Sequence, residues 1–375
     1  SGATVEKVLA ALGVDVKTPN GRAAAWDRVN NGPWRKVLPS VVVCTQGIEK
    51  RFPVHVPDGA AVVVWVDLEE GGRVPVGQID NYVPPRDIVL AFFADEEAGS
   101  EYGSRYMTAN HPEVFAGCSE AVSEVGGFSI ALKNGKRMYI IETAQKGIHW
   151  FKLTAKGTAG HGSMINKDNS LTALGEAVSK LGNHVWPQRY TATVKSLFAN
   201  VAKLTGKKYD EADFRPLLEE FGPAAKMFGA TLQNTANPTM LSSGYKANVI
   251  PQTASAVVDG RFLPGYEDEF NQTIREIVGP DIEIETLTHD ISLEADFSGD
   301  LVEAMVQALM AEDPDAIAVP YMMSGGTDNK ALSELGIIGY GFGPLKLPPG
   351  LDFFSLFHGV DERVPIDGLK SGVHM

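Results

Sequence analysis

Hydrophobic and polar positions change period along the chain. Residues Thr4 to Leu12 carry apolar positions at helical spacing, and Gly13, Pro19 and Gly21 stop the helix they predict. The runs Val41 to Val43, Phe52 to Val56 and Ala61 to Val66 are rich in β-branched residues, and Pro57-Asp58-Gly59 between the last two reads as a turn. Together these runs predict a small β module. From Asp87 the pattern becomes α/β. Ile88 to Phe93 is a continuous apolar run of the kind found in a buried parallel strand, and a helix through Tyr106 follows it. Arg137 to Glu142 and His149 to Ala155 read as strands, and Leu171 to Phe228 is rich in helix signals. Ser255 to Leu263 then predicts a strand and Glu267 to Val278 an amphipathic helix. Ile282, Ile284 and Thr286 alternate with acidic residues, as in a strand with one exposed face. The end of the chain alternates helix (Leu301 to Met310, Asn329 to Leu335) with strand (Ile317 to Met322, Ile337 to Gly341). No internal repeat or low-complexity tract interrupts it.

Length and charge narrow the field. A chain of 375 residues with 44% hydrophobic content can fill two or three packed domains. Lys plus Arg number 33 against 47 Asp plus Glu, and the net charge of -14 argues against nucleic acid or an anionic membrane as partner. The longest apolar runs are strand-sized, well short of the roughly 20 residues that span a bilayer. No basic stretch followed by an apolar one opens the chain, so no secretory signal is visible. Cys44 and Cys118 are too few for a disulfide scaffold, which makes a reducing cytoplasm the expected location.

Chemistry gathers at a few places. Ala94-Asp95-Glu96-Glu97-Ala98-Gly99 stands directly after an apolar strand, where open α/β sheets collect their ligands. Adjacent carboxylates point in different directions, so one can hold a cation while the other moves a proton. Three acids after a strand equally form a solvated turn that caps the next helix. Glu124, before Gly126 and Gly127, adds a further carboxylate at a strand end. His358 follows a loop rich in Pro and Phe, where a histidine commonly serves as a structural hydrogen-bonding group. Two acids and an imidazole on separate loops also suit a divalent metal such as zinc.

DEEAG, SEVGG, TAGHGS, SGYKANVIP, VVDGRFLPG, SGGTDNK and LFHGVDER follow one another in an order that resembles the co-catalytic zinc family of aminoacylases, carnosine dipeptidases and carboxypeptidase G, over roughly residues 83 to 375. The resemblance implies Glu96 as general base, with Glu97, Glu124 and His358 as metal ligands. It further implies that His161 polarises the scissile carbonyl, that Asn248 and Arg261 bind a substrate carboxylate, and that Gly325, Gly326 and Thr327 line the pocket. Read as residues, His161 between two glycines lets the backbone approach a substrate closely. Arg261 in an apolar strand needs a carboxylate, either Asp259 or a substrate, of which the substrate is preferred.

The upstream part departs from that family. Its GHxD and GRGxxDxK motifs are absent. The nearest counterpart, Val64-Trp65-Val66-Asp67, has tryptophan in place of the histidine, Asp80 is a loose stand-in for the bridging aspartate, and His55 is a decoy by spacing. Instead, VLAALGVD, PWRKVLPSVVV, FPVHVPDGAAVVVWVDLEEGGRVP and QIDNYVPPRD resemble the N-terminal β module of bacterial 4-alpha-glucanotransferases, with a seam near Val83 to Asp87. The expected architecture is a β-rich module at 1–82, an α/β catalytic domain at 83–146 plus 291–375, and an inserted α+β lid at 147–290. The expected activity is metal-dependent hydrolysis of a peptide or acylamino acid, with one zinc ion preferred over two and a homodimer formed through the lid. A non-catalytic binding or dimerisation protein and a carbohydrate-associated module are the alternatives.

Overall fold

A computed structural model describes residues 88–375 and, as backbone, the strand 62–66. The expectations for 4–12, 41–43, 52–56 and 57–59, and for Cys44, His55, Asp67 and Asp80, lie outside the described residues. The strands in chain order are β1 (Val62–Val66), β2 (Ile88–Phe92), β3 (Glu120–Ser123), β4 (Ser129–Ala131), β5 (Arg137–Gln145), β6 (Gly147–Lys156) and β7 (Gly160–His161). They continue with β8 (Thr235–Ser243), β9 (Val249–Ile250), β10 (Thr253–Phe262), β11 (Ile282–Asp290), β12 (Leu293–Glu294), β13 (Ile317–Met323) and β14 (Ile338–Gly341). The chain divides into two compact units, one of residues 1–121 with 331–338 and one of residues 122–330 with 339–375.

In the first unit β2 pairs antiparallel with β1, not parallel as its unbroken apolar run predicts. Nor is it buried throughout, since Ile88 is 44% and Phe92 38% exposed. Val89, Ala91 and Phe93 pack against Met107, Phe115, Leu332 and Ile337, so the strand buries one face on a small core. A continuous apolar run fixes neither the direction nor the depth of a strand.

The second unit holds two sheets with separate cores. Six strands form the larger sheet, ordered β12-β5-β14-β3, with β13 parallel and β4 antiparallel to β5. The strand β5 is central, and Met138, Tyr139, Ile140 and Ile141 are fully buried. Alternation sends Met138 and Ile140 to one face, against Val194, Phe198 and Val201 of the helix Ala192–Thr205. Tyr139 and Ile141 face Val302, Met305 and Leu309 of the helix Asp300–Glu312. Helices on both faces of a sheet containing parallel strands are the α/β arrangement expected from the sequence.

The smaller sheet, ordered β11-β6-β10-β8, is antiparallel. Phe151, Leu153 and Ala155 of β6 and Ala254, Ala256 and Val258 of β10 turn inward at every second position, onto Leu174, Leu181, Phe270 and Ile274. These last four belong to the helices Ser170–Gly182 and Glu267–Val278. The first is capped by the Asn169 side chain accepting from Leu171 N at 2.9 Å. The second opens on Glu267, Asp268 and Glu269 and carries Arg275 in its last turn, both favourable to the helix dipole.

The inserted segment 147–290 is less uniform than the sequence reading implies. Phe198, Phe214, Leu217, Phe221 and Phe228 belong to the core of the larger sheet, with Phe128, Met138 and Tyr321, and not to the core of the smaller one. The stretch around 192–230 therefore leaves the lid and returns. Helix propensity identifies its helices but not which sheet they cover.

Candidate active site

In the first unit the acidic motif forms a tight turn. Asp95 adopts the left-handed conformation (φ 50°, ψ 29°) and opens a single 3-10 turn, Glu96–Ala98, which closes on Gly99 at φ 105°. Asp95 O accepts from Ala98 N at 3.0 Å and Ser100 N at 2.8 Å, and its carboxylate accepts from Tyr102 N at 3.1 Å. Asp95 is thus the residue that shapes the turn, which leaves Glu96 half-buried and Glu97 exposed. Gly103 closes the arrangement, because a Cβ there would lie 2.0 Å from Ala94 O.

Glu124 and His358 belong to the second unit, and both are exposed. Glu124 precedes three successive left-handed residues, Val125 (φ 60°), Gly126 (φ 109°) and Gly127 (φ 72°). The loop lies flat on the end of β14: Gly343 N donates to Gly126 O at 2.7 Å, and a Cβ on Gly126 would meet Gly341 O at 2.4 Å. Only glycine fits there. His358 is itself left-handed (φ 55°), and its loop is anchored by Phe353, Phe354 and Phe357 packing edge-on to Phe128.

His161 and Asn248 are neighbours. The short ladder β7–β9 sets His161 opposite Val249, and Gly162 N donates to Asn248 O at 2.9 Å. His161 Nδ1 lies 2.8 Å from Ser163 Oγ and 3.3 Å from Ser163 N. The backbone N–H can only donate, so Nδ1 is the acceptor and a neutral His161 carries its proton on Nε2. That tautomer offers an N–H donor to a carbonyl oxygen.

Arg261 sits elsewhere. Its guanidinium binds Asp259 through two contacts, of 2.6 and 3.1 Å, and lies over the Trp150 ring at 5.7 Å. Asp259, one of the two partners the sequence leaves open, therefore holds it. From Thr253 to Arg261 the strand β10 rises about 26 Å at roughly 3.3 Å per residue, and the ladder holding His161 and Asn248 continues beyond Thr253. One chain does not bring the His161–Asn248 pair and Arg261 together.

The loop 325–327 follows β13 at the carboxyl ends of two parallel strands, β13 and β5. Thr327 is gripped by one side chain: its N donates to Gln145 Oε1 at 3.1 Å, and Gln145 Nε2 donates to its Oγ1 at 2.8 Å. Gln145 Nε2 also donates to Glu142 at 3.2 Å. Burial pushes the Glu142 carboxyl up to about 8, and Gln145 and Lys330 only partly offset this. Lys146 is driven down to about 7 by burial and by the charge of Arg261, while its Nζ donates to Ala230 O and Gln233 O. Glu142, Gln145, Lys146 and Lys330 are all buried, and the sequence reading singles out none of them. Glu142 and Lys146 carry one signal, a charged residue inside or just after an apolar strand; Lys330 closes the SGGTDNK motif, and the uncharged Gln145 carries none.

Two carboxylates and an imidazole are donor types that zinc accepts. Among the described residues, however, no three His, Cys, Asp or Glu side chains form a metal-holding group. Glu97 belongs to one unit, and Glu124 and His358 to the other.

Residues 143–283 match the family model of a peptidase dimerisation domain, and residues 37–108 match a MalQ N-terminal beta sandwich domain, a match that runs past the expected seam near 83–87. A probable carboxypeptidase S-like 2 of Dictyostelium discoideum is 26% identical over 77% of this chain and 58% of its own length. The human N-fatty-acyl-amino acid synthase/hydrolase PM20D1 is 26% identical over 79% of this chain and 61% of its own. The chain thus spans about three fifths of the length of these curated relatives. A 4-alpha-glucanotransferase of Mycobacterium tuberculosis is 42% identical over 89 residues, 24% of this chain and 12% of that protein. The M20 family metallo-carboxypeptidase Sso-CP2 of Sulfolobus solfataricus shares the fold, with a TM-score of 0.53 at 16% identity over 77% of this chain and 68% of its own. This chain therefore resembles M20 peptidases and N-acyl amino acid hydrolases over about three quarters of its length, with a MalQ-type N-terminal module ahead of that part.

Proposed function

We propose that this chain hydrolyses a peptide or N-acyl amide bond in a small substrate bearing a free carboxylate. The observation that carries the reading is His161, whose Nδ1 accepts from Ser163 and whose proton therefore stands on Nε2, beside Asn248. That N–H donates to the carbonyl oxygen as negative charge develops on it. Glu96 takes a proton from the attacking water and passes it to the departing amine, so that the C–N bond breaks and a carboxylate and an amine leave. A zinc ion, when bound, lowers the pKa of water and polarises the carbonyl. Glu97, Glu124 and His358 would be its ligands by resemblance. Pairing through the inserted domain fits both the description of the 143–283 match and the strand β8, an edge with Met240 and Leu241 66% and 67% exposed.

The hold of Asp259 on Arg261 favours the second reading, a binding or dimerisation protein without turnover. Glu96→Gln and Glu97→Gln separate the two. Under the hydrolase reading Glu96→Gln abolishes release of amine from acylamino acids or dipeptides while zinc content stays near that of the parent, and Glu97→Gln lowers both. Equal turnover in Glu96→Gln and the parent would sink the assignment.

A further inference from the structure

The Lys330 side chain is 2% exposed, and it touches three parts of the second unit at once. Its ammonium donates to Lys146 O at 2.9 Å and lies 3.5 Å from the Asp290 carboxylate. Lys146 separates β5 of the larger sheet from β6 of the smaller one, and Asp290 is the last residue of β11, three residues before β12 rejoins the larger sheet. Those are the two points at which the chain steps directly from strand to strand between the sheets, in addition to the helical excursion around 192–230. The stem of Lys330 lies beneath the 325–327 loop: a Cβ on Gly326 would meet Cε at 2.8 Å, Nζ at 3.0 Å and Cδ at 3.2 Å. One buried cation thus pins the entry to the small sheet, the exit from it, and the Gly325–Thr327 loop.

We propose that Lys330 is a positioning residue that ties the angle of the inserted domain to the shape of the 325–327 loop. A buried ammonium keeps its acceptors because losing one leaves a charge unsolvated. A rotation of the small sheet about Lys146–Gly147 and Asp290–Ile291 therefore draws the lysine with it, and the loop on its stem must follow. Gln145 adds a parallel constraint, since it stands next to Lys146 and grips Thr327 through two hydrogen bonds. Asp290, at the far crossing, has its effect on the loop through Lys330. The catalytic consequence rests on the hydrolase reading; the mechanical one does not.

The test compares Lys330→Met, Asp290→Asn and the double variant in the full chain, with two readouts. Amide hydrogen exchange is followed at Gly147–Ile148, Ile291 and Gly325–Thr327, and kcat and KM are measured on an N-acyl amino acid. The expected result is faster exchange at the 325–327 loop in Asp290→Asn, although that substitution lies at the other crossing, and at all three places in Lys330→Met. The kcat of Lys330→Met should fall at least tenfold with KM changed less than threefold, and the double variant should be no worse than Lys330→Met alone. Parent-like exchange at 325–327 in both single variants, or additive effects in the double, would overturn the proposal. If Lys330→Met does not fold, Asp290→Asn decides alone by loop exchange. If the parent shows no hydrolysis, the hydrolase reading fails while the exchange data still judge the latch.

Discussion

At the scale of single residues, the buried Glu142 carries the sharpest consequence. Its carboxyl stands at about 8 in the folded chain, chiefly because burial disfavours the charged form, against 4.5 for an exposed glutamate. A carboxyl with a raised folded pKa stays protonated while the unfolded chain ionises. Its stabilising contribution is therefore fully present below about pH 4.5 and is lost as pH rises towards 8, at about 1.4 kcal/mol per unit inside that window. Lys146 runs the other way: depressed from 10.5 to about 7, it adds stability as pH rises through that interval. Glu142→Gln keeps the shape of the side chain and removes the titration. Denaturant unfolding of this variant should show a flatter stability profile between pH 5 and 8, and a profile parallel to that of the parent would show that Glu142 is ionised in the fold.

At the scale of elements, the loop carrying Glu96 and Glu97 depends on a close approach. Gly103 has an ordinary φ of -96°, yet a Cβ there would meet the Ala94 carbonyl oxygen at 2.0 Å. Gly99 is the opposite case, left-handed at φ 105° with open space around it. Gly103→Ala should cost about 1–3 kcal/mol by overpacking and displace the acidic turn. Gly99→Ala should cost roughly 1 kcal/mol or more through φ alone. Thermal unfolding of the pair, with turnover measured alongside, checks this, and a greater loss of turnover in Gly99→Ala would contradict it. Neither steric fact is visible in the sequence. What could be read there was periodicity: the helix Glu267–Val278, the alternation of β10 and the strand β13 all fall where the pattern sets them. The partners of those elements could not be read. Phe198 and Phe228 have the same apolar character as Leu174 and Phe270, but they cover a different sheet, and β2 looks buried and parallel until β1 pairs with it from the other direction. The site was legible in the same uneven way. Ordered motifs pointed to Glu96, His161 and Thr327, whereas Gln145 lies outside every motif and Lys330, although it closes SGGTDNK, has no role that the motif assigns.

At the scale of the whole molecule, the separation of His161 from Arg261 constrains how a small substrate could use both. The rise of about 26 Å along β10 alone exceeds the length of a dipeptide, so if both side chains touch one substrate they come from two chains. A second copy joined through the inserted domain would supply the missing partner, and a symmetric pair would contain two such composite sites. His161→Ala and Arg261→Met would each be inactive alone. Mixing them, with exchange of subunits, should restore about a quarter of the parent activity, because half the pairs are mixed and each mixed pair has one site with both residues intact. Restoration should vanish on dilution below the concentration at which pairs persist by light scattering. A mixture that remains inactive while mixed pairs are present would show that His161 and Arg261 do not share a substrate across two chains. The bidentate pair with Asp259 would then be the whole role of Arg261.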